Sequence, residues 1–307
     1  MRYVTLAELS DLVRNNLDKV PHDIDLVVGI PRSGLLPANM IALFLNVRMT
    51  DIDSFAQGRI YDAGYRKASI KEGPVKKVLV VDDSVQSGRA IQEAKEKLSA
   101  LRNDYEFVFL APIVSSKGAG LVDIHFTVID DYRFFEWNVF HHSILSNACV
   151  DIDGVLCKDP ELDDDGPVYR QFLSEALPRF LPTVPIRTLI SCRLEKYRPQ
   201  TEQWLREHRI RYQELIMLDF PDRASRLKWG RHGEYKAEYY KKSGADLFIE
   251  SSEHQARVIA NKSHRPVLCI ETNELLYEES FSDAVKRIAR TRCPKTYARL
   301  KRLLGRG

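Results

Sequence analysis

The 307-residue chain contains no CxxC pair: its five cysteines, Cys149, Cys157, Cys192, Cys269 and Cys293, are scattered. That spacing excludes a zinc ribbon or a disulfide framework as the organising device and leaves thiols expected to be reduced and mostly buried. Long apolar runs are missing as well. No segment is apolar over the ~20 residues that a bilayer span requires, and the start, MRYVTLAELSD, lacks the basic-then-apolar order of a secretory leader. A cytosolic location is therefore expected. Excess charge of one sign is small, since a net charge of +3 does not by itself imply nucleic acid. No repeat or low-complexity segment stands out.

What is present is ample core material. Apolar residues at 44% and charged residues at 29% describe a globular protein, and the length suits two domains. One stretch departs from the average. From Asp283 to Gly307 the chain carries Lys286, Arg287, Arg290, Arg292, Lys295, Arg299, Lys301, Arg302 and Arg306 against the single acid Asp283. A solvated terminal helix is the simplest account; contact with anionic lipid at the inner face of the membrane is the alternative.

Apolar strand-like runs alternate with helical patterns, which predicts α/β architecture with mainly parallel sheets. Residues 24–30, 78–81, 107–112 and 126–129 read as strands, and 35–45 and 90–101 as helices. After a restart near residues 142–147, the strands are expected at 148–151, 188–191, 215–218, 247–250 and 267–270, with helices near 200–208, 235–242 and 253–261. The expected domains are 1–145 and 146–275, followed by a basic helical segment at 276–307. Between Arg48 and Lys77 lies a long polar stretch with Arg59, Arg66 and Lys67; a loop of that length is read as a lid over an anionic substrate.

Two acidic signatures each follow an apolar run. In the first, Val78–Val81 leads into Asp82-Asp83, and Ser84-Val85-Gln86-Ser87-Gly88-Arg89 turns into a helix. In an open α/β sheet, ligands bind at the carboxyl ends of strands. Free N–H groups at the helix start and the hydroxyls of Ser84 and Ser87 can hold a phosphate. The two carboxylates suit sugar hydroxyls or a hydrated Mg²⁺. Together these features predict a sugar phosphate site.

The run resembles the phosphoribosyl pyrophosphate (PRPP) motif of type I phosphoribosyltransferases, and Val27-Val28-Gly29-Ile30-Pro31-Arg32-Ser33-Gly34 resembles that family's pyrophosphate loop. The resemblance implies that Asp82 and Asp83 hold the ribose hydroxyls, that residues Ser84 to Arg89 hold the 5-phosphate, and that Arg32, Ser33 and Gly34 meet the leaving pyrophosphate. Where relatives carry a hood over a nucleobase, this chain has an unfamiliar aromatic stretch, residues 130–142. Asp130, Asp131, Glu136, Trp137 and His141 are its candidates for acceptor contact, as a stacking surface or as a base toward a hydroxyl; interdomain packing is the competing reading of the aromatics.

The second signature is Asp151-Ile152-Asp153-Gly154-Val155. A calcium loop of the EF-hand type fails here, because Val155 and Leu156 stand at a ligand position and at the glycine position. The run resembles instead the first motif of haloacid dehalogenase-type (HAD) phosphohydrolases, and Ser191, Lys236 and Glu250 follow in that family's order. The resemblance implies that Asp151 attacks phosphorus, that Asp153 is the general acid and base, that Ser191 and Lys236 bind phosphate, and that Asp151, Asp153 and Glu250 ligate Mg²⁺. The fourth motif departs from the family: Glu250 stands where aspartate is usual, with Ser251 and Glu253 as competing supports. Short spacings imply little or no cap.

The combined expectation is two Rossmann-like domains, a phosphoribosyltransferase-type parallel sheet with a hood and a HAD-like phosphatase. A bifunctional enzyme would transfer 5-phosphoribosyl from PRPP and then remove the 5-phosphate, resembling fused phosphoribosyltransferase-phosphatase proteins of bacterial polysaccharide assembly. A glycan hydroxyl, on a lipid-linked acceptor, and a nucleobase compete as acceptor, with no nucleic acid partner; a non-catalytic PRPP-sensing regulator is the reading from a different class.

Overall fold

The computed structural model of the chain describes residues 1–61, 73–162 and 165–280. The basic run 283–307 and the lid residues Arg66 and Lys67 lie outside them. Contacts divide the chain into two units, Met1–Trp137 and Asn138–Gly307.

The first unit runs β1 (Arg2–Val4), α1 (Leu6–Arg14), β2 (Leu26–Gly29), α2 (Leu35–Leu45), β3 (Arg48–Asp51), α3 (Ile52–Ala56), β4 (Lys77–Val81), β5 (Ser84–Val85), α4 (Arg89–Lys97), β6 (Glu106–Val114), β7 (Ile124–Val128) and β8 (Arg133–Phe135). Its main sheet is parallel throughout, ordered β3-β2-β4-β6-β5 with β7 also on β6. Alternate strand residues face opposite layers. Val27, Leu79, Val81 and Leu110 pack with Val13 of α1 and with Ala38 and Ile41 of α2. Leu26, Val28, Val78 and Val80 pack with Ile52 and Phe55 of α3 and with Ile91 and Ala94 of α4. Burial on both faces is why these strands are apolar without alternation.

From β2 the chain crosses to β3 on one side and returns to β4 on the other. The carboxyl ends of β2 and β4 therefore border a topological switch point, where an open α/β sheet leaves a crevice. Two expectations need correcting here. Residues 48–77 are not one loop: β3 continues the sheet beside β2, and α3 is capped by Asp51, whose carboxylate accepts from the backbone of Asp53 and Ser54. The helix expected at 90–101 ends at Lys97 and passes into a short 3₁₀ turn.

A second, two-stranded parallel sheet pairs β1 with β8, Arg2 to Val4 opposite Arg133 to Phe135. Neither strand is legible in sequence, because three-residue strands carry too few alternations to register as a period.

The second unit runs β9 (Ala148–Val150), α5 (Pro167–Glu175), β10 (Ile186–Leu194), α6 (Arg198–Glu207), β11 (Tyr212–Leu218), α7 (Arg223–Trp229), α8 (His232–Ser243), β12 (Leu247–Glu250), α9 (Glu253–Ser263), β13 (Val267–Cys269) and β14 (Glu274–Leu276). The sheet order is β11-β10-β9-β12-β13-β14, parallel except for the last pair. Cys149 and Phe248 pack toward α8 and α9 through Ala237, Tyr240, Ala256 and Ile259. Leu194 and Leu218 meet Tyr169 and Leu173 of α5. The centre of this sheet is β9, so the residue that follows it sits over the middle of the unit. Among the described residues, α5 is the helix of the β9–β10 connection, and no helix is long and apolar enough to cross a membrane.

Candidate active sites

In the first unit, β2 and β4 pair in register from Leu26↔Val78 to Gly29↔Val81, so the loops that follow them leave the sheet side by side. Ile30 N donates to Val81 O at 2.9 Å. A Cβ on Gly34 would lie 2.5 Å from Ile30 O, 2.8 Å from Val81 O and 2.9 Å from Asp82 Cα. Glycine is thus required by space at this contact, and the Arg32-Ser33-Gly34 loop is seated directly on the Asp82 loop. Arg32 is exposed at the rim.

Asp82 and Asp83 are each 7% exposed. Asp83 N donates to Asp82 Oδ1 at 2.9 Å. Burial first, and then the neighbouring Asp83 charge, push Asp82 up to about 8. Beyond the pair, Ser84 and Val85 add β5 to the edge of β6, Gln86 and Ser87 are exposed, and Gly88 caps α4 with a left-handed φ of 79°. Arg89 is exposed and reaches Glu93 one turn on. The crevice therefore offers two buried carboxylates beside a helix start with free N–H groups, a pairing able to take vicinal hydroxyls and a phosphate.

The raised Asp82 has a consequence for stability. Its folded-state proton is held up to about pH 8, whereas the unfolded group releases it near 3.8. The folded state thus binds more protons in that window, so stability falls as pH rises from about 4 to about 8. Asp82→Asn removes the buried charge. It is expected to raise the melting temperature of the first transition by about 5 °C at pH 8.5 and to leave it nearly unchanged at pH 5, measured by calorimetry; equal effects at both pH values would refute this account.

The acceptor candidates of residues 130–142 differ in their partners. Asp130 accepts from the backbone and hydroxyl of Ser116. Glu136 accepts from Leu6 N at 2.7 Å and so holds the start of α1. Asp131 is exposed. His141 belongs to the second unit, where its Nδ1 lies 3.1 Å from Thr183 Oγ1. Trp137 alone among them meets the acid pair, donating its indole N–H to Asp83 Oδ2 at 3.0 Å.

In the second unit, Asp151 follows central β9 and is 5% exposed. Lys236, on α8 and 1% exposed, donates at 2.7 Å both to Asp151 Oδ2 and to Glu250 Oε2. Ile152 N donates to Asp151 Oδ1 at 2.8 Å. Burial pushes Asp151 well above the usual carboxylate range, with the Lys236 ammonium pulling against it. Burial would lower Lys236, but the two carboxylates hold it well above its ordinary value. Glu250 Oε1 accepts from Ser252 N and Ser251 Oγ, whereas Glu253 turns away to Arg257; of the two candidate supports, Ser251 is the one at the site. Gly154, with φ 72°, lies so near that a Cβ would fall 2.4 Å from Ser251 Cβ.

Asp153 is drawn elsewhere, to a residue the sequence reading missed. Arg193, 1% exposed, donates to both Asp153 oxygens, at 2.7 Å from Nη2 and 3.1 Å from Nε, and its backbone N donates to Ser191 Oγ at 3.2 Å. Cys157 Sγ lies 3.5 Å from Asp153 Oδ1 and from Arg193 Nη2. The available signal was an arginine embedded in the apolar run Leu189-Ile190-Ser191-Cys192-Arg193-Leu194, since a charge there must be paired. With Asp153 on Arg193, no group of three His, Cys, Asp or Glu side chains among the described residues converges to hold a metal ion. Lys236 pairs with Asp151 and Glu250, and Arg193 with Asp153, the three carboxylates of the expected trio.

Residues 5–144 match the family model described as a phosphoribosyl transferase domain, which supports a type I phosphoribosyltransferase domain in the first part of the chain. The chain is 30% identical over 131 residues to the transcriptional regulator GfcR of Archaeoglobus fulgidus, covering 40% of this chain and 62% of that protein. It is 30% identical over 92 residues to the GfcR of Methanococcoides burtonii, covering 29% and 45%. The chain thus spans about half the length of the curated relatives it matches. Among solved structures, a purine phosphoribosyltransferase from Pyrococcus horikoshii Ot3 aligns with a TM-score of 0.33 at 18% identity, covering 44% of this chain and 92% of that one.

Proposed function

We propose that this chain transfers 5-phosphoribosyl from PRPP to an acceptor and then hydrolyses the 5-phosphate, leaving a ribofuranosyl unit. The observation that carries the reading is the presence, in one chain, of two separate acidic clusters at strand ends: Asp82 and Asp83 against the Gly34 loop, and Asp151 against Lys236. The family match over residues 5–144 supports the transfer half. The phosphatase half, of HAD type, rests on the second cluster alone.

In the first unit, Asp82 and Asp83 would take the ribose hydroxyls, the N–H groups and hydroxyls of residues 84–88 the 5-phosphate, and Arg32 the pyrophosphate. In the second, Asp151 would attack phosphorus while Lys236 holds its carboxylate in line and offsets the gathered negative charge. Asp153 would take up a proton from solvent once released from Arg193 and then serve as proton donor to the leaving oxygen. Mg²⁺ is usually held by one or two carboxylates together with substrate phosphates, so Asp82 with Asp83, and Asp151 with Glu250, would hold it there; bound Mg²⁺ would supply charge neutralisation at the departing and attacked phosphates.

A glycan hydroxyl is the acceptor we favour, because the spacings from Asp151 to Ser191 and from Ser191 to Lys236 leave no room for a large cap, and an uncapped site can take a bulky phosphate ester. A nucleobase is the competing acceptor. The GfcR relatives are named transcriptional regulators, which favours a second reading, a PRPP-binding regulator without turnover.

The test is incubation with PRPP and Mg²⁺ against panels of saccharides and nucleobases, assaying pyrophosphate and phosphate separately. Release of both with a saccharide is the expected result. Pyrophosphate with bases only would sink the glycan reading, and PRPP binding without release under any condition would favour the regulator.

A further inference from the structure

β8 and the residues just after it touch the acid pair's loop twice. Arg133, 5% exposed, donates to Val85 O at 2.9 Å and to Ile129 O at 2.7 Å, tying β5 to the hood. Four residues on, the Trp137 indole N–H reaches Asp83 Oδ2 at 3.0 Å. The indole is itself held. It stacks on Phe135 with centroids 4.7 Å apart and planes inclined by 18°, and Phe135 is fixed by its pairing with Val4 and by the apolar cluster of Val4 and Ile113.

The chemistry of this contact is one-sided. An indole N–H only donates, so it cannot bind a sugar hydroxyl through that hydrogen while Asp83 occupies it. A donor to one carboxylate oxygen orients the group, whose other close neighbour is the Asp82 side chain hydrogen-bonded to it, and each carboxylate oxygen can accept more than one hydrogen bond, so an incoming hydroxyl still finds an acceptor. A hydrogen bond to a charged group contributes more than a neutral one, and a buried carboxylate without a donor is costly.

We propose that Trp137 is a positioning residue for the phosphosugar donor: its indole N–H sets the Asp83 carboxylate so that the remaining oxygen faces the sugar diol, rather than the ring serving as a stacking surface for the acceptor. This rests on the reading that Asp82 and Asp83 bind the ribose hydroxyls of PRPP.

The experiment measures PRPP binding with Mg²⁺ by calorimetry on the full chain and on Trp137→Phe, which keeps an aromatic ring on Phe135 and removes the N–H. The dissociation constant is expected to rise about tenfold, corresponding to ~1.4 kcal/mol. In an Asp83→Asn background the same substitution should add no further loss, a non-additivity that a purely structural role would not produce. Where turnover is measured, the PRPP KM should rise and the acceptor KM should not.

Should Trp137→Phe unfold, the indole N–H proton resonance provides the second measurement. Three tryptophans give three such signals, and one of them should shift in Asp83→Asn; three unmoved signals would overturn the contact. A Trp137→Phe protein that binds PRPP as tightly as the parent overturns the proposal alone. A parent chain that does not bind PRPP overturns the proposal together with the donor reading on which it rests.

Discussion

Lys236→Met is expected to lower the stability of the second unit by about 3–5 kcal/mol at neutral pH, the cost of leaving a buried charge without its partner. The ammonium is enclosed: its side chain is 1% exposed, and the carboxylates it bridges, Asp151 and Glu250, are 7% and 0% exposed. A methionine fills similar space but leaves two carboxylates side by side without a cation. Removing those charges together, in Asp151→Asn/Lys236→Met/Glu250→Gln, should recover most of the loss, because a neutral buried group of similar shape is tolerated where an unpaired one is not. Urea denaturation followed by circular dichroism tests both. A Lys236→Met protein as stable as its parent would mean that water reaches the cluster and that the enclosure seen here is not kept in solution.

The two proposed activities should separate cleanly by substitution. Asp83→Asn is expected to lower PRPP-dependent pyrophosphate release by about 10²–10³-fold, the range for losing one preorganised charged contact at a reaction centre. It should leave phosphate release from an added phosphoribosyl compound unchanged. Asp151→Asn should do the reverse. An amide cannot form the phosphoenzyme, so phosphate release should fall at least ~10³-fold while the phosphorylated transfer product accumulates and is detected by mass. If Asp151→Asn still gives product without phosphate, Asp151 is not the nucleophile; if Asp83→Asn removes both activities, the sites are not independent.

The parts of the sites that could be read in the sequence are those built from contiguous residues. Asp82-Asp83 at the end of a four-residue apolar run, and Asp151 at the end of another, each place chemistry at a strand end, because a run buried on both faces is apolar throughout and stops where the chain meets solvent. Lys236 and Glu250 were legible as types at suitable separations, but their joint hold on one ammonium was not. Arg193 stands in the apolar run of β10, and its partner Asp153 lies forty residues earlier, so the pair forms only in the fold.

Residues 130–142 show the opposite case. Their composition offered acids, a histidine and aromatics as alternative acceptor contacts; Asp130 accepts from Ser116 and Glu136 holds the start of α1. The partner of Glu136 depends on β1 lying beside β8, a pairing between residues more than a hundred positions apart that no local pattern encodes.

The α/β character and the strand ends that carry the carboxylates follow from local periodicity. Packing decides that only glycine fits at position 34 and which groups meet those carboxylates: the Trp137 N–H at Asp83, Arg193 at Asp153, and Lys236 at Asp151 and Glu250 together. The physical reason is that a buried charge must find an opposite charge or a donor in space, and adjacency in space is a property of the packed sheets, not of the spacing along the chain.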